Sequence, residues 1–255
     1  MTILQVIPSV TRSRGVLLMA AAAFTYILLR ISGFHRLFIE DAEGIGALLQ
    51  IVGTLYSVVY AFATYVIWGQ FANVESEILQ EAGSLKNLIL FSRRLKETTR
   101  DPMVRAVRAY ARAVVESEWG MLSRGEGTEH TDKLFAAVIS SVTDVKLEDD
   151  SERSVYERLL EIANQACAHR DERLALSVKR IPRTLLLFVM ITAYTILFLL
   201  FFFPFHNLFL GTVSIAVATM LLFFAHFVLT DLDNPFEGTW NVDSKPFDNL
   251  ITKHR

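Results

Sequence analysis

Charged residues are spread very unevenly along these 255 residues. No Asp, Glu, Lys or Arg occurs in the 31 positions from 44 to 74, nor in the 47 positions from 184 to 230. A helix rises about 1.5 Å per residue, so about 20 apolar residues cross the hydrocarbon core of a bilayer. The second run is roughly twice that length. Phe203, Pro204, Phe205, His206 and Asn207 divide it and read as a tight exposed turn. This gives two spans, residues 182–203 and 208–230, with Pro182 in a first turn where its missing N–H does no harm. The earlier run predicts one span over residues 44–71, about 42 Å long as a helix and so longer than the bilayer core. Nothing stops that helix at Phe71. No proline falls between Phe71 and Pro102, and Val74, Ile78, Ala82, Leu85 and Ile89 continue one helical face, so a single helix is expected from residue 44 to about residue 95. A shorter apolar stretch, residues 15–29, ends at Arg30. If Arg30 reaches the interface, residues 16–34 are long enough to span, and no small-residue cleavage site comes after it to mark a signal peptide.

Between the second and third spans, residues 72–181 read as helices throughout. Asp101 before Pro102 predicts a helix start, a capping acid followed by proline at the first position. Val104, Val107, Tyr110, Val114 and Trp119 then form a buried face. Residues 123–128, with two glycines, read as a loop. Leu134, Phe135, Val138, Ile139, Val142 and Val145 predict a short amphipathic helix. Another is expected from Ser154, with Glu157 closing a capping box, and Val155, Leu159, Ile162 and Ala166 on its apolar face. It leads to the basic run Arg170-Asp171-Glu172-Arg173, which reads either as an approach to anionic lipid headgroups or as a solvated, ion-paired face. The chain thus divides into a membrane hairpin (residues 1–71), a cytoplasmic helical domain (72–181), a second membrane hairpin (182–230) and a cytoplasmic tail (231–255). The fold class is an all-α integral membrane protein with four transmembrane helices.

Lysine and arginine bias sets the orientation. Arg12 and Arg14 precede the first span, the turn at 203–207 has no positive residue, and most other basic residues lie between spans two and three or after span four. Both termini and the central domain are therefore expected in the cytoplasm. The net charge of −2 excludes a nucleic-acid partner, which would need a basic stripe. The single Cys167 excludes an intramolecular disulfide and a multi-cysteine metal site, and reads as a small buried thiol. No Gly-rich phosphate loop, nucleophile elbow or metal-spaced histidine pair is found, so neither an enzyme nor a cofactor is expected.

Some polar residues remain as candidates. His226 lies inside the fourth span, where an ionisable group is either functional or a neutral imidazole bonded to a neighbouring helix. Asp231, Asp233 and Glu237 come directly after that span. They form either a regulatory or cation-binding cluster with His226 or caps and ion pairs at the membrane exit. The calcium-loop pattern fails, because Pro235 and Phe236 stand where a ligand and a glycine are needed, so no metal is assigned. The second span carries the sharpest signal. Gln50, Thr54, Ser57, Ala61, Thr64 and Trp68 recur every three or four residues, a polar and small stripe along one helical face. Such a stripe must meet protein or water. It lines a water-filled pore shared by several subunits, or it packs helices closely.

Three motifs carry a family resemblance. They are Trp68-Gly69-Gln70-Phe71 at the end of the second span, Arg170-Asp171-Glu172-Arg173-Leu174 before the third, and Asp231-Leu232-Asp233-Asn234-Pro235-Phe236 after the fourth. Together they resemble the bacterial bestrophin-like membrane proteins, from about residue 44 to residue 247, and more distantly the bestrophin chloride channels. The resemblance implies a pentamer of identical subunits in the bacterial plasma (inner) membrane, in contact with lipids. It implies a pore for small ions, lined by the second span and conducting anions. The family's narrow neck would fall near Gln50, Thr54 and Val58, on or beside the stripe, which favours the pore reading. Trp68, Gln70 and Phe71 would mark the cytoplasmic exit. The neck would be polar rather than hydrophobic, and the acidic calcium-binding run of animal bestrophins is only partly present.

Overall fold

A computed structural model of the protein describes residues 9–33, 40–145 and 150–252. In chain order they form α1 (Ser9–Ile31), α2 (Ala42–Ser92), α3 (Glu97–Ala113), a π-helical turn (Val114–Glu118), α4 (Trp119–Leu122), α5 (Glu129–Thr143), α6 (Asp150–Val178), α7 (Arg183–Phe202), α8 (Leu208–Leu232) and α9 (Lys245–Thr252). Four stretches are long and apolar enough to cross a membrane. They fall on α1, α2, α8 and the segment that ends with α7.

The long helix expected from residue 44 is present as α2, 51 residues without a break. The expected end of the first span, Phe34, lies outside the described residues. Two helix starts differ from expectation. α3 begins at Glu97, one turn before Asp101, and Pro102 lies inside it. The chain turns at Arg94 and Leu95, whose amides donate to Phe91 and Ser92, and the helix restarts on the Lys96 carbonyl, which accepts from Thr99 and Arg100 at 3.0 and 2.9 Å. Glu97 and Asp101 then flank Arg100 at 3.3 and 2.9 Å. Asp101 is therefore an ion-pair partner rather than a cap. Likewise α6 starts at Asp150, before Ser154. Glu157 pairs at 3.4 Å with Arg153 one turn earlier instead of closing a capping box.

Two compact units emerge, Met1–Trp68 with Ile181–Asp233, and Gly69–Arg180 with Asn234–Arg255. In the first, α1 and α8 approach through glycines. A Cβ on Gly211 would fall 2.1 Å from the Tyr26 hydroxyl, and one on Gly15 would fall 2.8 Å from the Phe223 ring. Small residues at such crossings let backbones come close where lipid supplies no hydrophobic drive. Tyr26 is buried and meets Phe205 edge-on at 6.4 Å. Arg30 donates to the Phe205 carbonyl, so it ties α1 to the α7–α8 turn. The Asn207 side chain caps α8, accepting from the Phe209 and Leu210 amides. The outer surfaces stay apolar: Phe24, Ile191, Phe198 and Leu221 are all exposed.

The second unit has a conventional core. Ile78 and Leu85 of α2, Val107 and Tyr110 of α3, Val138 and Val142 of α5, and Leu159 and Ile162 of α6 are buried together. Residues 234–252, read from the sequence as a tail, contribute Phe236, Val242, Phe247 and Leu250 to this core. Trp119 holds them, edge-on to Phe236 at 5.4 Å and to Phe247 at 6.1 Å. The π turn inserts extra backbone into its helix and so re-phases the residues C-terminal to it. Glu118, at the end of the turn, and Leu122, beyond it, are both buried, as Val107, Tyr110 and Val114 are.

The glycine crossing is directly testable. Gly211→Ala drives a methyl into Tyr26 and should destabilise by about 1–3 kcal/mol, the usual cost of overpacking. Gly120→Ala, where nothing lies within 4 Å of the added carbon, should gain about 0.5–1 kcal/mol from helix propensity. Thermal unfolding of the two purified variants should move in opposite directions.

Candidate functional site

α2 presents three faces within the first unit. Ile45, Ala63 and Ile67 are buried against the chain's own helices, and between them Tyr56 and Tyr60 stack at 5.7 Å. The Tyr60 hydroxyl donates to the Ala225 carbonyl of α8 at 3.3 Å. The stripe lies about 130° around the helix from that face, at 3.6 residues per turn. Gln50, Thr54, Ser57, Ala61 and Trp68 are exposed, and Thr64 is half-buried. About 130° further round, Leu48, Ile51, Leu55 and Phe62 form an exposed apolar face, with Val58 at its border with the stripe. Gln70 and Phe71 belong to the second unit and are half-buried, with Phe71 packed on its core.

The stripe hydroxyls share one arrangement. Thr54 donates to the Gln50 carbonyl, Ser57 to Gly53 and Thr64 to Tyr60, at 2.8, 2.8 and 2.9 Å. Each proton is held one turn back along the helix, which lowers the cost of a hydroxyl in an apolar setting. The lone pairs face outward as acceptors. Gln50 adds an amide that both donates and accepts.

In the run 170–173 the two arginines turn inward, so they form neither a headgroup contact nor a solvated face, the two expectations from the sequence, while Asp171 and Glu172 are exposed. Both arginines are buried in the second unit, Arg173 completely. Arg173 Nε donates to Glu81 of α2 at 2.6 Å, and Nη2 reaches Glu118 at the end of the π turn at 2.8 Å. Arg170 pairs with Asp132 at 2.6 Å and lies 3.7 Å from Glu118. The Tyr110 hydroxyl donates to Glu81 at 2.5 Å and accepts from Arg170 Nε at 3.1 Å. Thr131 donates its hydroxyl to Glu118. Phe247 of α9 closes the cluster, its ring 5.6 Å from the Arg173 guanidinium. At its edge His169 and Glu77 meet at 2.8 Å.

Glu81, Glu118 and Tyr110 went unremarked in the sequence as site residues. A signal was present, since Arg170, Arg173 and Ser177 continue the buried row Leu159, Ile162, Ala163, Ala166, and Glu81 sits between Ile78 and Leu85 on the core face of α2. Burial, and then the nearby Glu81 carboxylate, push the Tyr110 phenol well above its ordinary value, so it stays a neutral donor. Burial alone would lower Arg173, but Glu81, Tyr110 and Glu118 outweigh it and raise it. Cys167 is half-buried, its thiol pushed up by burial and by Asp171. A raised thiol is a poor nucleophile.

The acidic segment after α8 makes structural bonds. Asp233 Oδ1 accepts from the Ile181 amide at 2.7 Å, fixing the entry to α7. The Asn234 amide donates to the Ser123 carbonyl at 2.9 Å and to Glu237 at 3.3 Å. Asp231 is half-buried. Among the described residues no three His, Cys, Asp or Glu side chains converge as a metal site would require. His226 is half-buried, and its Nδ1 finds no hydrogen-bond partner among the described residues.

The Bestrophin-like domain model matches residues 15–247. The chain belongs to the bestrophin-like family. Solved structures agree on the fold. A crystal structure of a bacterial bestrophin homologue from Klebsiella pneumoniae matches with a TM-score of 0.70 at 11% identity, covering 94% of this chain and 97% of that one. A tryptophan-to-alanine variant of that homologue matches at 0.71 and 12%, covering 97% and 96%. At this identity the likeness speaks to the fold alone. No protein of curated function matches the sequence. In this bestrophin-like chain, the motif that carried the resemblance before α7 supplies the two arginines of a buried ionic cluster.

Removing one partner from that cluster leaves an uncompensated buried charge. Arg173→Met should cost about 3–5 kcal/mol, far more than a substitution at exposed Arg153. Thermal or denaturant unfolding of the two variants checks the difference.

Proposed function

We propose that this protein is a pentameric ion channel of the bacterial plasma (inner) membrane. Its pore is lined by α2, and both termini lie in the cytoplasm. The observation that carries this reading is the exposed polar stripe on a membrane-spanning helix. Hydrocarbon offers the Gln50 amide no partner, whereas Thr54, Ser57 and Thr64 donate within the helix, and the chain's own helices pack against a different face of α2. Closed rotational symmetry turns the same face of every subunit toward one axis. A ring of copies therefore brings the stripes together around water, while lipid and neighbouring subunits cover the apolar face of Leu48, Ile51, Leu55 and Phe62. Gln50, Thr54 and Val58 form the narrow part of the path, Ser57, Ala61 and Thr64 continue it, and Trp68, Gln70 and Phe71 lie at the cytoplasmic exit. Asp231, Asp233 and Glu237 serve as caps and local partners at the membrane exit rather than as a calcium sensor.

Without fixed charge on the stripe, selectivity comes from side-chain dipoles and pore width. Family resemblance carries the anion reading, and a ring of Gln50 amide donors supports it. A specific observation favours the opposite sign. Thr54, Ser57 and Thr64 hold their protons on backbone carbonyls and offer lone pairs outward, an arrangement that suits cations.

Purified oligomer in planar bilayers should give single-channel currents, altered by Gln50→Ala and largely abolished by Thr54→Phe. In a salt gradient, reversal toward the chloride potential supports anion conduction and reversal toward the cation potential overturns it. Silent bilayers from well-folded oligomer, across voltages and salts, would instead support a non-conducting membrane-anchored scaffold.

A further inference from the structure

The 20 positions from Arg93 to Arg112 hold seven arginines or lysines and two acids, Glu97 and Asp101, in a chain whose net charge is −2. Leu95, Met103 and Val107 of the same stretch are buried, so the charges collect on its outer side. Part of this charge lines an open cleft of about 360 Å³ between the end of α2 and α3. Arg93, Arg100 and Arg108 border the cleft, Asp101 is the one carboxylate among its described lining residues, and Ile89 and Val104 are its apolar walls. Arg93 is exposed and the other two arginines are half-buried, so all three have surface to offer a ligand.

A concave site lined by one sign of charge, with apolar walls, focuses its field on whatever enters it. Asp101 and Glu97 already meet Arg100, at 2.9 and 3.3 Å. Arg93 and Arg108 therefore give the cleft most of its excess charge. Each guanidinium has five N–H donors in a planar fork, so a bond already made leaves others to offer. That fork matches the oxygens of phosphate, and several forks around one space favour an anion with more than one charge. The chain also runs from Glu75 to Ser92, about 27 Å of helix, between the last charge-free position of α2 and this cleft. That length favours a ligand from solution over a lipid headgroup. We propose that the cleft binds one small soluble anion of the phosphate class, carrying two or more charges and bridged by Arg93 and Arg108. The site stands whether or not α2 conducts ions.

The full-length oligomer, in nanodiscs of phosphatidylcholine alone, can be titrated calorimetrically with sodium pyrophosphate in a chloride buffer at constant ionic strength. Saturable binding of one pyrophosphate per subunit is expected. Arg93→Gln and Arg108→Gln should each weaken it about tenfold or more, the usual worth of hydrogen bonds to a charged group. Lys133→Gln, at an exposed position outside the cleft, should leave it unchanged. Asp101→Asn removes the opposing carboxylate and should tighten binding severalfold, a gain that misfolding does not produce. Absence of saturable binding to the wild type overturns the site, as does an affinity that is the same in all three cleft variants. A parallel titration with dioctanoyl phosphatidic acid separates the two sources of a phosphate group. Saturable binding of that lipid alone would overturn the soluble ligand.

Discussion

A fully buried arginine is tolerable only where carboxylates meet it, and Arg173 imposes that condition on the second unit. Its guanidinium needs Glu81 from α2 and Glu118 from the π turn at once. The desolvation cost of such charges is large, and it is offset only when geometry is close and the remaining lone pairs are satisfied. Tyr110 adds a bond to Glu81 and Thr131 one to Glu118, while Arg173 Nη1 has no hydrogen-bond partner among the described residues. Consequently α2, α3, α5 and α6 cannot slide or rotate past one another without exposing an unpaired charge. The apolar core provides most of the burial, and the ionic cluster fixes the register in which that core can form.

The π turn is part of the same requirement. In a regular helix Glu118 would already share the face of Val107 and Val114, while Leu122, further on, would begin to drift from it. The turn contributes Glu118 to Arg173, and its extra width keeps Leu122 over the core. α9 completes the arrangement, as Phe247 covers the guanidinium and packs against Trp119. The segment after the last span is thus structural, and its short range from Asp233 to Phe247 holds several of the bonds that position α7 and seal the core.

Much of the membrane architecture was legible in the sequence because absence of charge is a strong signal over 20 or more residues. Proline and asparagine at 204 and 207 marked the break between α7 and α8 for the same local reason that they make it. The ionic cluster was not legible from composition. Arg170-Asp171-Glu172-Arg173 alternates charge as a solvated helix does, and only its phase relative to Leu159 and Ala166 reveals that the two arginines point inward. Asp101 before Pro102 imitated a helix start because an acid beside a proline looks the same in the second turn as at a cap. The π turn has no distinctive residues. The stripe of α2 was legible as a spacing, but spacing alone does not say which face a chain's own helices cover. Burial of Ile45, Ala63 and Ile67 supplies that answer.

Whether the uncovered stripe meets water is the central question, and cysteine accessibility along α2 addresses it directly. In a background with Cys167→Ser, single cysteines at Gln50, Thr54, Ser57 and Ala61 would be compared with cysteines at Ile51, Leu55 and Phe62 in the reconstituted oligomer, using a charged, membrane-impermeant thiol reagent. A wetted pore predicts fast labelling at the first set and protection at the second, with the three-to-four-residue period of the helix. Protection of the whole stripe, or labelling that peaks at Ile51, Leu55 and Phe62, would contradict it.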